Sequence, residues 1–358
     1  MNWNHVVKFG GSVVAAAVCF SASAASNGVV ASISMDKQSL GNTDDVVVRV
    51  TMTNTSAAPQ YVLKWHTPFA AIEESLFDVT RDGVQVPYEG KHVKRAAPTS
   101  ADYFVLQPGK SHTATVELSS LYNMSVTGNY SIRFATKSYS LFSKGEARER
   151  AGDDKQADTL QSEPLAVWVE GNLPRGTSTQ KAAPSYELAG SLSFSQCTTS
   201  QQTTVSSAIA AAKTMASAGD AYMAAGNTGT RYTKWFGVNN STRYTTVKSH
   251  FAAIKDALNN KAVTVDCGCK ESYFAYVYPT QPYKIYVCNA FWGAPMSGTD
   301  SKGGTLVHEM SHFNVVAATD DWAYGQSAAA SLAISDPAKA TDNADSHEYF
   351  GENTPALP

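Results

Sequence analysis

The feature that most constrains this 358-residue chain is the pentapeptide at residues 308–312, His-Glu-Met-Ser-His. On an α-helix, His308 and His312 are one turn apart and point the same way, so both imidazoles can reach one metal ion. Glu309 lies about 100° further around the helix, beside such an ion rather than among its ligands. The alternative is an amphipathic helix with these side chains in solvent. Residues 303–307 instead predict a flexible turn running into a buried helix, where two histidines and a glutamate need partners such as a metal.

Two histidines at this spacing, with a glutamate after the first, form a pattern typical of zinc-dependent peptidases. A catalytic zinc site needs a third protein ligand and leaves its fourth position to water. Metzincins use a further histidine that follows a glycine, but the corresponding positions here are Val315 and Ala318. No segment resembles the glutamate-bearing helix of the gluzincins. The acidic residues that do follow are Asp320 and Asp321.

Residues 318–325, Ala-Thr-Asp-Asp-Trp-Ala-Tyr-Gly, resemble the Gly-Thr-x-Asp-x-x-Tyr-Gly motif of the aspzincins, the deuterolysin-type metallopeptidases. The one departure is Ala318 in place of the leading glycine, where a small residue still suits the turn. The register of the motif implies that Asp321, rather than Asp320, is the third metal ligand. It also implies that the hydroxyl of Tyr324 hydrogen-bonds the oxyanion that forms during peptide hydrolysis.

The resemblance implies one catalytic Zn²⁺ ion held by His308, His312 and Asp321. The ion lowers the pKa of its bound water, and Glu309 takes a proton from that water as it attacks the scissile carbonyl. The expected activity is therefore hydrolysis of peptide bonds in protein or peptide substrates. The alternative from another class is a catalytically silent secreted protein that binds zinc or serves in adhesion. A structural zinc site, however, needs neither Glu309 nor Tyr324.

The resemblance covers about half of the chain, from near Cys197 to the C-terminus, and is strongest to the lysine-specific aspzincins, the peptidyl-Lys metalloendopeptidases. Further matching blocks, in the same order, lie at residues 231–237, 274–279, 290–295 and 343–350. This group implies that Asp345 and Glu348 line the S1′ pocket, which takes the side chain following the scissile bond. Two carboxylates there suit a lysine ammonium. A deuterolysin-type endopeptidase of broader specificity is the nearer alternative.

Four of the five cysteines lie in the C-terminal half of the chain. An even number in an exported protein implies two disulfides. Cys267 and Cys269 are poorly placed to bond each other because a disulfide requires a particular Cα separation. The residues alone leave the pairing open, as well as a weak alternative in which these two cysteines bind zinc. The resemblance implies the pairs Cys197–Cys267 and Cys269–Cys288.

Residues 1–24 have the features of a secretory signal peptide. Lys8 provides a positive start, residues 12–20 an apolar stretch too short to span a membrane, and residues 22–24 a small-residue cleavage site. A lipid anchor at Cys19 is a disfavoured alternative. A net charge of -3 with 16% charged residues gives no reason to expect nucleic-acid binding. We expect a secreted monomer that does not associate with membranes.

Residues 25–170 alternate apolar and polar side chains with period two, clearly so at 46–52, 77–80 and 130–134. Many short strands of this kind predict an all-β, sandwich-like domain. A charged run at 144–155 predicts a solvated loop.

Residues 171–185 are polar, contain glycine and proline, and predict a linker in which Arg175 and Lys181 are candidate processing positions. The linker separates two domains of different composition. Residues 186–358 predict a mainly helical, α+β catalytic domain of zincin type. Helices are expected at 200–217, at 241–258, from about Gly303 and at 322–332, with strands near 274–278 and 284–287. Asp342 and Glu352 are interpreted as solvated acidic residues.

The N-terminal β domain has three candidate roles: a propeptide that shields the active site, a substrate-binding module, or a spacer. Its position before a cleavable linker favours a propeptide that inhibits the chain's own catalytic domain. If the peptidase prefers lysine, the bond before Lys181 is a self-processing site, whereas Arg175 invites a different protease. The overall layout resembles that of exported bacterial aspzincin toxins.

Overall fold

The computed structural model describes residues 26–143, 157–178 and 190–358. The expected signal peptide, the charged run at 144–155 and Lys181 lie outside these residues. The first part is β-rich, as predicted. Its strands are β1 (Val29–Ser34), β2 (Ser39–Leu40), β3 (Val47–Asn54), β4 (Gln60–Leu63), β5 (Phe77–Arg81), β6 (Val84–Gln85), β7 (His92–Lys94), β8 (Tyr103–Leu106), β9 (Ser111–Glu117), β10 (Gly128–Ser138), β11 (Phe142–Ser143), β12 (Asp158–Gln161) and β13 (Leu165–Val169).

All of these strands except β7 form three sheets around one hydrophobic core. The strand orders are β1-β3-β9, then β2-β13-β10-β5-β6 with β12 paired to β10, and β11-β4-β8. Val50, Ile132 and Phe134 are fully buried, while the residues that alternate with them along β3 and β10 are partly exposed. This is the period-two pattern visible in the sequence. The three strands predicted from that pattern coincide with β3, β5 and β10.

The second part is mainly helical with a small sheet, again as predicted. Its elements are β14 (Leu192–Ser195), α1 (Thr199–Ala224), α2 (Thr230–Phe236), α3 (Ser241–Asn260), β15 (Val263–Asp266), β16 (Ala275–Val277), β17 (Lys284–Val287), α4 (Asn289–Gly293), α5 (Lys302–His312), α6 (Gln326–Ser335), α7 (Pro337–Ala340) and α8 (Ala344–Glu352). Apolar residues of α1, α3 and α5 pack with those of the sheet in a second core. The helices predicted at 200–217 and 241–258 correspond to α1 and α3.

Helix α5 is buried along its whole length. It begins at Lys302, so Gly303 and Gly304 lie inside the helix and not in the flexible turn expected from the sequence. Ser301 caps the helix, because its hydroxyl oxygen accepts the N–H of Gly304 at 2.9 Å. A Cβ atom on Gly303 would lie 2.9 Å from the Cβ of Ala211 in α1. Glycine at this position therefore lets α5 pack closely against α1.

The prediction of a helix over 322–332 is wrong at its start, because α6 begins only after Gly325. Gly325 has a φ of 85°, outside the helical region. The backbone N–H groups of Trp322 and Ala323 donate to Oδ1 of Asn343, at 2.9 and 3.0 Å. Their hydrogen bonds are thus made outside a helix, and the segment between α5 and α6 is a loop.

One strand of the β-rich part, β7, completes the sheet of the helical part. The order of that sheet is β14-β15-β17-β16-β7. Strands β14, β15 and β17 are parallel, whereas β16 pairs antiparallel with both β17 and β7. A further link between the two parts is the ion pair of Lys137 with Asp336, at 3.0 Å. The two parts of the chain are therefore joined by backbone pairing as well as by side chains.

Both disulfides that the resemblance implied are present. Cys197 bonds Cys267 and Cys269 bonds Cys288, with Cα separations of 5.0 and 4.7 Å. Cys267 and Cys269 are therefore not free thiolates, and the zinc-binding alternative for them is wrong. Among the described residues, no helix is both long and apolar enough to cross a membrane.

Candidate active site

The two histidines of α5 converge with an aspartate from the loop that follows it. The Nε2 atoms of His308 and His312 are 3.1 Å apart, and both side chains are buried. The carboxylate of Asp321 places Oδ1 3.3 Å from Nε2 of His308 and Oδ2 3.4 Å from Nε2 of His312. Two ligand atoms bound to a tetrahedral zinc at about 2.0 Å lie about 3.3 Å apart. The three side chains therefore fit a single metal ion.

The surroundings of Asp321 also suit a metal. Apart from its contacts with the two histidines, its buried carboxylate oxygens have no hydrogen-bond partner among the residues that the structure describes. A buried charge without partners is costly, and a bound cation removes that cost. Burial alone would raise the pKa of Asp321, but His312 and His308 outweigh it and hold the pKa well below its usual value. The carboxylate is therefore ionised, as a metal ligand must be.

The second nitrogen of each histidine faces an oxygen acceptor. Nδ1 of His312 lies 2.7 Å from the carbonyl oxygen of Thr319, and Nδ1 of His308 lies 2.9 Å from Oδ1 of Asp345. The hydrogen bond of His312 fixes the orientation and the tautomer of its ring, and the close contact of His308 with the Asp345 carboxylate favours a ring orientation in which Nε2 faces His312 and Asp321. The site thus has both a set of ligand atoms and the outer contacts that orient them.

Asp320, the rival ligand, has its side-chain contacts with other groups. Its Oδ1 accepts the N–H of Asp321 at 2.9 Å and lies 3.5 Å from Nδ1 of His92. Its own N–H donates to the carbonyl oxygen of Asp342 at 2.7 Å. The structure therefore brings Asp321, and not its neighbour, into contact with both α5 histidines.

Glu309 is fully buried beside the histidines. Neither carboxylate oxygen has a hydrogen-bond partner within the described ranges. Burial raises the pKa of Glu309 to about 7, with His308 and His312 acting in the opposite direction. A carboxyl group with a pKa near neutrality can both accept and release a proton under ordinary conditions.

Tyr324 lies on the same loop as Asp321 and is also buried. Its hydroxyl donates a hydrogen bond to the carbonyl oxygen of Val93 in β7, at 3.1 Å. Its ring makes an edge-to-face contact with Trp65, with centroids 5.9 Å apart. The hydroxyl is thus directed at a peptide carbonyl of β7, the strand that also carries His92 and Lys94.

Asp345 and Glu348 lie one turn apart on α8, and both are completely buried. The ammonium of Lys94 lies 3.0 Å from Oδ1 of Asp345 and 2.8 Å from Oε2 of Glu348. A third carboxylate, Asp300, is 3.3 Å from the same Nζ atom. Burial alone would lower the pKa of Lys94, but the carboxylates outweigh it and keep the pKa well above its usual value. The two predicted pocket residues therefore share one buried lysine ammonium.

Sequence reasoning did not find His92, Lys94 and Asp300. The first two belong to a three-residue strand of the β-rich part, and no motif distinguishes Lys94 from the other lysines of the chain. The pairing of β7 with β16 and the ion pairs of Lys94 with α8 bring this strand to the candidate site. Proximity of that kind, across more than two hundred residues of sequence, leaves no local signal.

Asp342 and Glu352 were interpreted as solvated acidic residues, and that interpretation is wrong. Asp342 precedes α8, and its Oδ2 accepts the indole N–H of Trp322 at 3.0 Å. Oε1 of Glu352 accepts both the N–H and the hydroxyl of Ser301 at 2.8 Å. In contrast, the processing candidate Arg175 is exposed and bonds the carboxylate of Asp82.

Comparisons with known proteins agree with this geometry. A family model described as lysine-specific metallo-endopeptidase matches residues 221–352. An extracellular protease of Aeromonas hydrophila is 47% identical over 88% of this chain and 90% of its own length. The chain belongs to the aspzincin family. A peptidyl-Lys metalloendopeptidase of Armillaria mellea is 36% identical over 95% of this chain and 96% of that protein. One from Pleurotus ostreatus is 48% identical over 46% of this chain and 98% of that protein.

As an aspzincin, the protein is a zinc metalloendopeptidase that acts on proteins or peptides. The alternative of a catalytically silent secreted protein is therefore not retained. Of the positions that match the aspzincin pattern, His308, His312 and Asp321 meet in one buried group, and Glu309 and Tyr324 are buried as well.

Proposed function

We propose that this aspzincin is a secreted endopeptidase that cleaves before lysine and is made as an inactive precursor. The preference for lysine is inferred from the pocket of Asp345 and Glu348, whose carboxylates lie 3.0 and 2.8 Å from the ammonium of Lys94. Groups that bind a lysine of the chain itself can bind a lysine of a substrate. An apolar side chain would leave these buried carboxylates unpaired, and an acidic one would be repelled.

His308, His312 and Asp321 would hold the Zn²⁺ ion, which when bound lowers the pKa of a water molecule and polarises the scissile carbonyl. Glu309 would accept a proton from that water and pass it to the leaving amine, for which a pKa of about 7 is well suited. The hydroxyl of Tyr324 would donate to the oxygen of the scissile carbonyl.

The N-terminal β-rich region would serve as a propeptide, following the signal peptide at 1–24. In support, its strand β7 contacts α5, α8 and the loop of Tyr324, and its Trp65 contacts the Tyr324 ring. Cleavage within 171–185, at Arg175 or Lys181, would separate it from the catalytic region. The Pleurotus relative gives further support, since nearly its whole length is matched by less than half of this chain.

The decisive experiment is digestion of one denatured protein by the processed enzyme, with mass spectrometry of every product end. We expect almost all cuts on the N-terminal side of lysine. Cuts before many residue types would instead favour a deuterolysin-type enzyme of broader specificity. The Glu309→Gln variant, purified identically, serves as the control for contaminating peptidases and should give no cuts. The N-terminus of the secreted protein, read in the same way, identifies the processing position.

A further inference from the structure

Strand β7 lies in the candidate active site as an added strand of the catalytic sheet. Its register with β16 is antiparallel, with His92 opposite Val277, Val93 opposite Tyr276 and Lys94 opposite Ala275. The sheet ends at β7, so β16 would be its edge strand if β7 were removed. Pairing of an extended peptide with an exposed sheet edge is a common mode of peptide recognition. The strand thus has the backbone arrangement of a bound peptide.

The side chains of β7 alternate as those of a strand must. Lys94 enters the pocket of Asp345 and Glu348, whereas Val93 packs on the other side, in a small cluster with Tyr273 and Cys288. The carbonyl oxygen of Val93 accepts the hydroxyl hydrogen of Tyr324. If Lys94 occupies the place of a substrate lysine, the peptide bond between Val93 and Lys94 stands in the place of the scissile bond.

His92 lies on the same face of β7 as Lys94 and packs against His312, one of the proposed metal ligands. It is buried, and its ring centroid is 4.6 Å from that of His312. The structure places one potential ligand atom of each of three residues, His92, His312 and Asp321, within 4.8 Å of the other two. A catalytic zinc site leaves one position to water besides its three protein ligands. His92 is the further imidazole close enough to take that position.

We propose that β7 is a substrate-like inhibitor within the precursor, which rests on the proposed function of this site. Lys94 fills the S1′ pocket, and His92 replaces the attacking water on the metal. The bond between Val93 and Lys94 is therefore bound like that of a substrate but is not hydrolysed. Because the strand is tethered to the enzyme, it competes at an effective concentration of the order of mM. The propeptide thus blocks both the specificity pocket and the nucleophile.

The pocket is tested in the zinc-loaded precursor carrying Glu309→Gln, which keeps the chain intact. The probe is a fluorescent peptide with a single lysine, and binding is measured by anisotropy. We expect Lys94→Met to increase its affinity by about 10²-fold, because the tethered lysine no longer competes for the pocket. Lys137→Ala, which removes the ion pair with Asp336 but leaves Lys94 and its carboxylate partners unaltered, is the matched control and should not change this affinity. Equal affinities for the Lys94→Met and unaltered precursors would overturn the inference.

A second variant leaves Lys94 in place and so does not depend on the folding of Lys94→Met. In the precursor with Glu309 intact, His92→Ala should restore water to the metal. That water should then hydrolyse the bond between Val93 and Lys94, its oxygen joining the Val93 carbonyl carbon and its hydrogen the Lys94 nitrogen. Mass spectrometry should show a new N-terminus at Lys94, formed at a rate independent of protein concentration. The double variant His92→Ala, Lys94→Met should not be cut there.

The metal contact has its own readout. When Co²⁺ replaces Zn²⁺ in the Glu309→Gln precursor, adding His92→Ala should change the visible cobalt spectrum. Adding Lys137→Ala instead should leave the spectrum unchanged. An unchanged cobalt spectrum would count against the role of His92. So would a His92→Ala precursor that stays intact between Val93 and Lys94 although processed enzyme is active. The proposed function is tested separately by the cuts that processed enzyme makes. If processed enzyme cuts before lysine but the precursor variants show no change, only the role of β7 is contradicted. If processed enzyme cuts without preference, the proposed lysine specificity is itself contradicted.

Discussion

Nδ1 of His308 lies 2.9 Å from Oδ1 of Asp345, so a histidine of the proposed metal site directly contacts a carboxylate of the proposed lysine pocket. The same oxygen is 3.0 Å from the ammonium of Lys94, and Oδ2 accepts the N–H of Gly325 at 2.7 Å. Asp345 is therefore placed to orient a proposed metal ligand and, at the same time, to bind the lysine ammonium. Glu348 makes the shorter contact with the ammonium and only a 3.4 Å contact with His308.

This difference predicts that the two pocket carboxylates can be separated by mutation. Glu348→Gln should lower kcat/KM for lysine substrates by about 10- to 100-fold, because a charge-assisted contact becomes neutral. Its zinc affinity should remain near that of the unaltered enzyme. Asp345→Asn should lose lysine preference and also bind zinc about 10- to 100-fold more weakly, as expected when the outer partner of a metal-bound histidine is changed. Competitive chelator titrations of both variants measure the affinity, and equal zinc affinities would contradict the shared role of Asp345.

The role of Glu309 predicts a loss of activity without a loss of metal. Glu309→Gln has the same shape but cannot accept a proton, so kcat should fall by about 10²- to 10⁴-fold. Zinc content, measured by elemental analysis of the purified variant, should stay at one ion per chain, since Glu309 is not among the proposed ligands. Loss of zinc together with activity would show that Glu309 acts through the metal site and not as the base.

Neighbouring aspartates provide a matched pair for the third ligand. Asp321→Asn removes the carboxylate that contacts both His308 and His312, and zinc affinity should fall by more than about 100-fold, beyond the effect of an outer partner. In Asp320→Asn the side-chain oxygen can still accept the N–H of Asp321. Zinc affinity should therefore change little. Chelator competition on the two purified proteins decides between them, and a larger loss in Asp320→Asn would reverse the assignment.

Local patterns were sufficient to predict much of the fold. Alternation identified β3, β5 and β10, and the helices expected at 200–217 and 241–258 lie within α1 and α3. The spacing of His308 and His312 predicted their convergence, because residues four apart on a helix share a face whatever the rest of the chain does. These inferences needed only the geometry of a single element.

Features that depend on tertiary packing were not predictable in this way. The sequence predicts a turn at Gly303, but this residue lies inside α5. Glycine is needed there because a Cβ atom would lie 2.9 Å from the Cβ of Ala211 in α1. The loop before α6 is held open by Asn343, which is distant along the chain. Lys94 has no local mark at all, since its importance arises from carboxylates more than two hundred residues away.

The burial of Glu352 predicts a pH-dependent stability for the helical part of the protein. Burial raises the pKa of Glu352 to about 8 from an ordinary 4.5, with Glu348 adding to the shift and Ser301 opposing it. Oε2 of Glu352 is buried without a hydrogen-bond partner in the part of the chain that the structure describes. Between these two pKa values the folded state holds a proton that the unfolded chain has released. The free energy of unfolding therefore falls as the pH rises through this range and levels off above it.

Glu352→Gln should remove this dependence, because the amide oxygen can still accept from Ser301 while the side chain no longer titrates. One pKa unit corresponds to about 1.4 kcal/mol, so the unaltered protein should lose a few kcal/mol relative to the variant between about pH 5 and pH 8. Thermal unfolding of both proteins across this range, with Glu309→Gln in each to prevent self-digestion, measures the difference. If the two Tm curves ran parallel, Glu352 would titrate alike in the folded and unfolded chains. A gap that widens towards pH 8, with the variant more stable, is the outcome that its buried carboxylate requires.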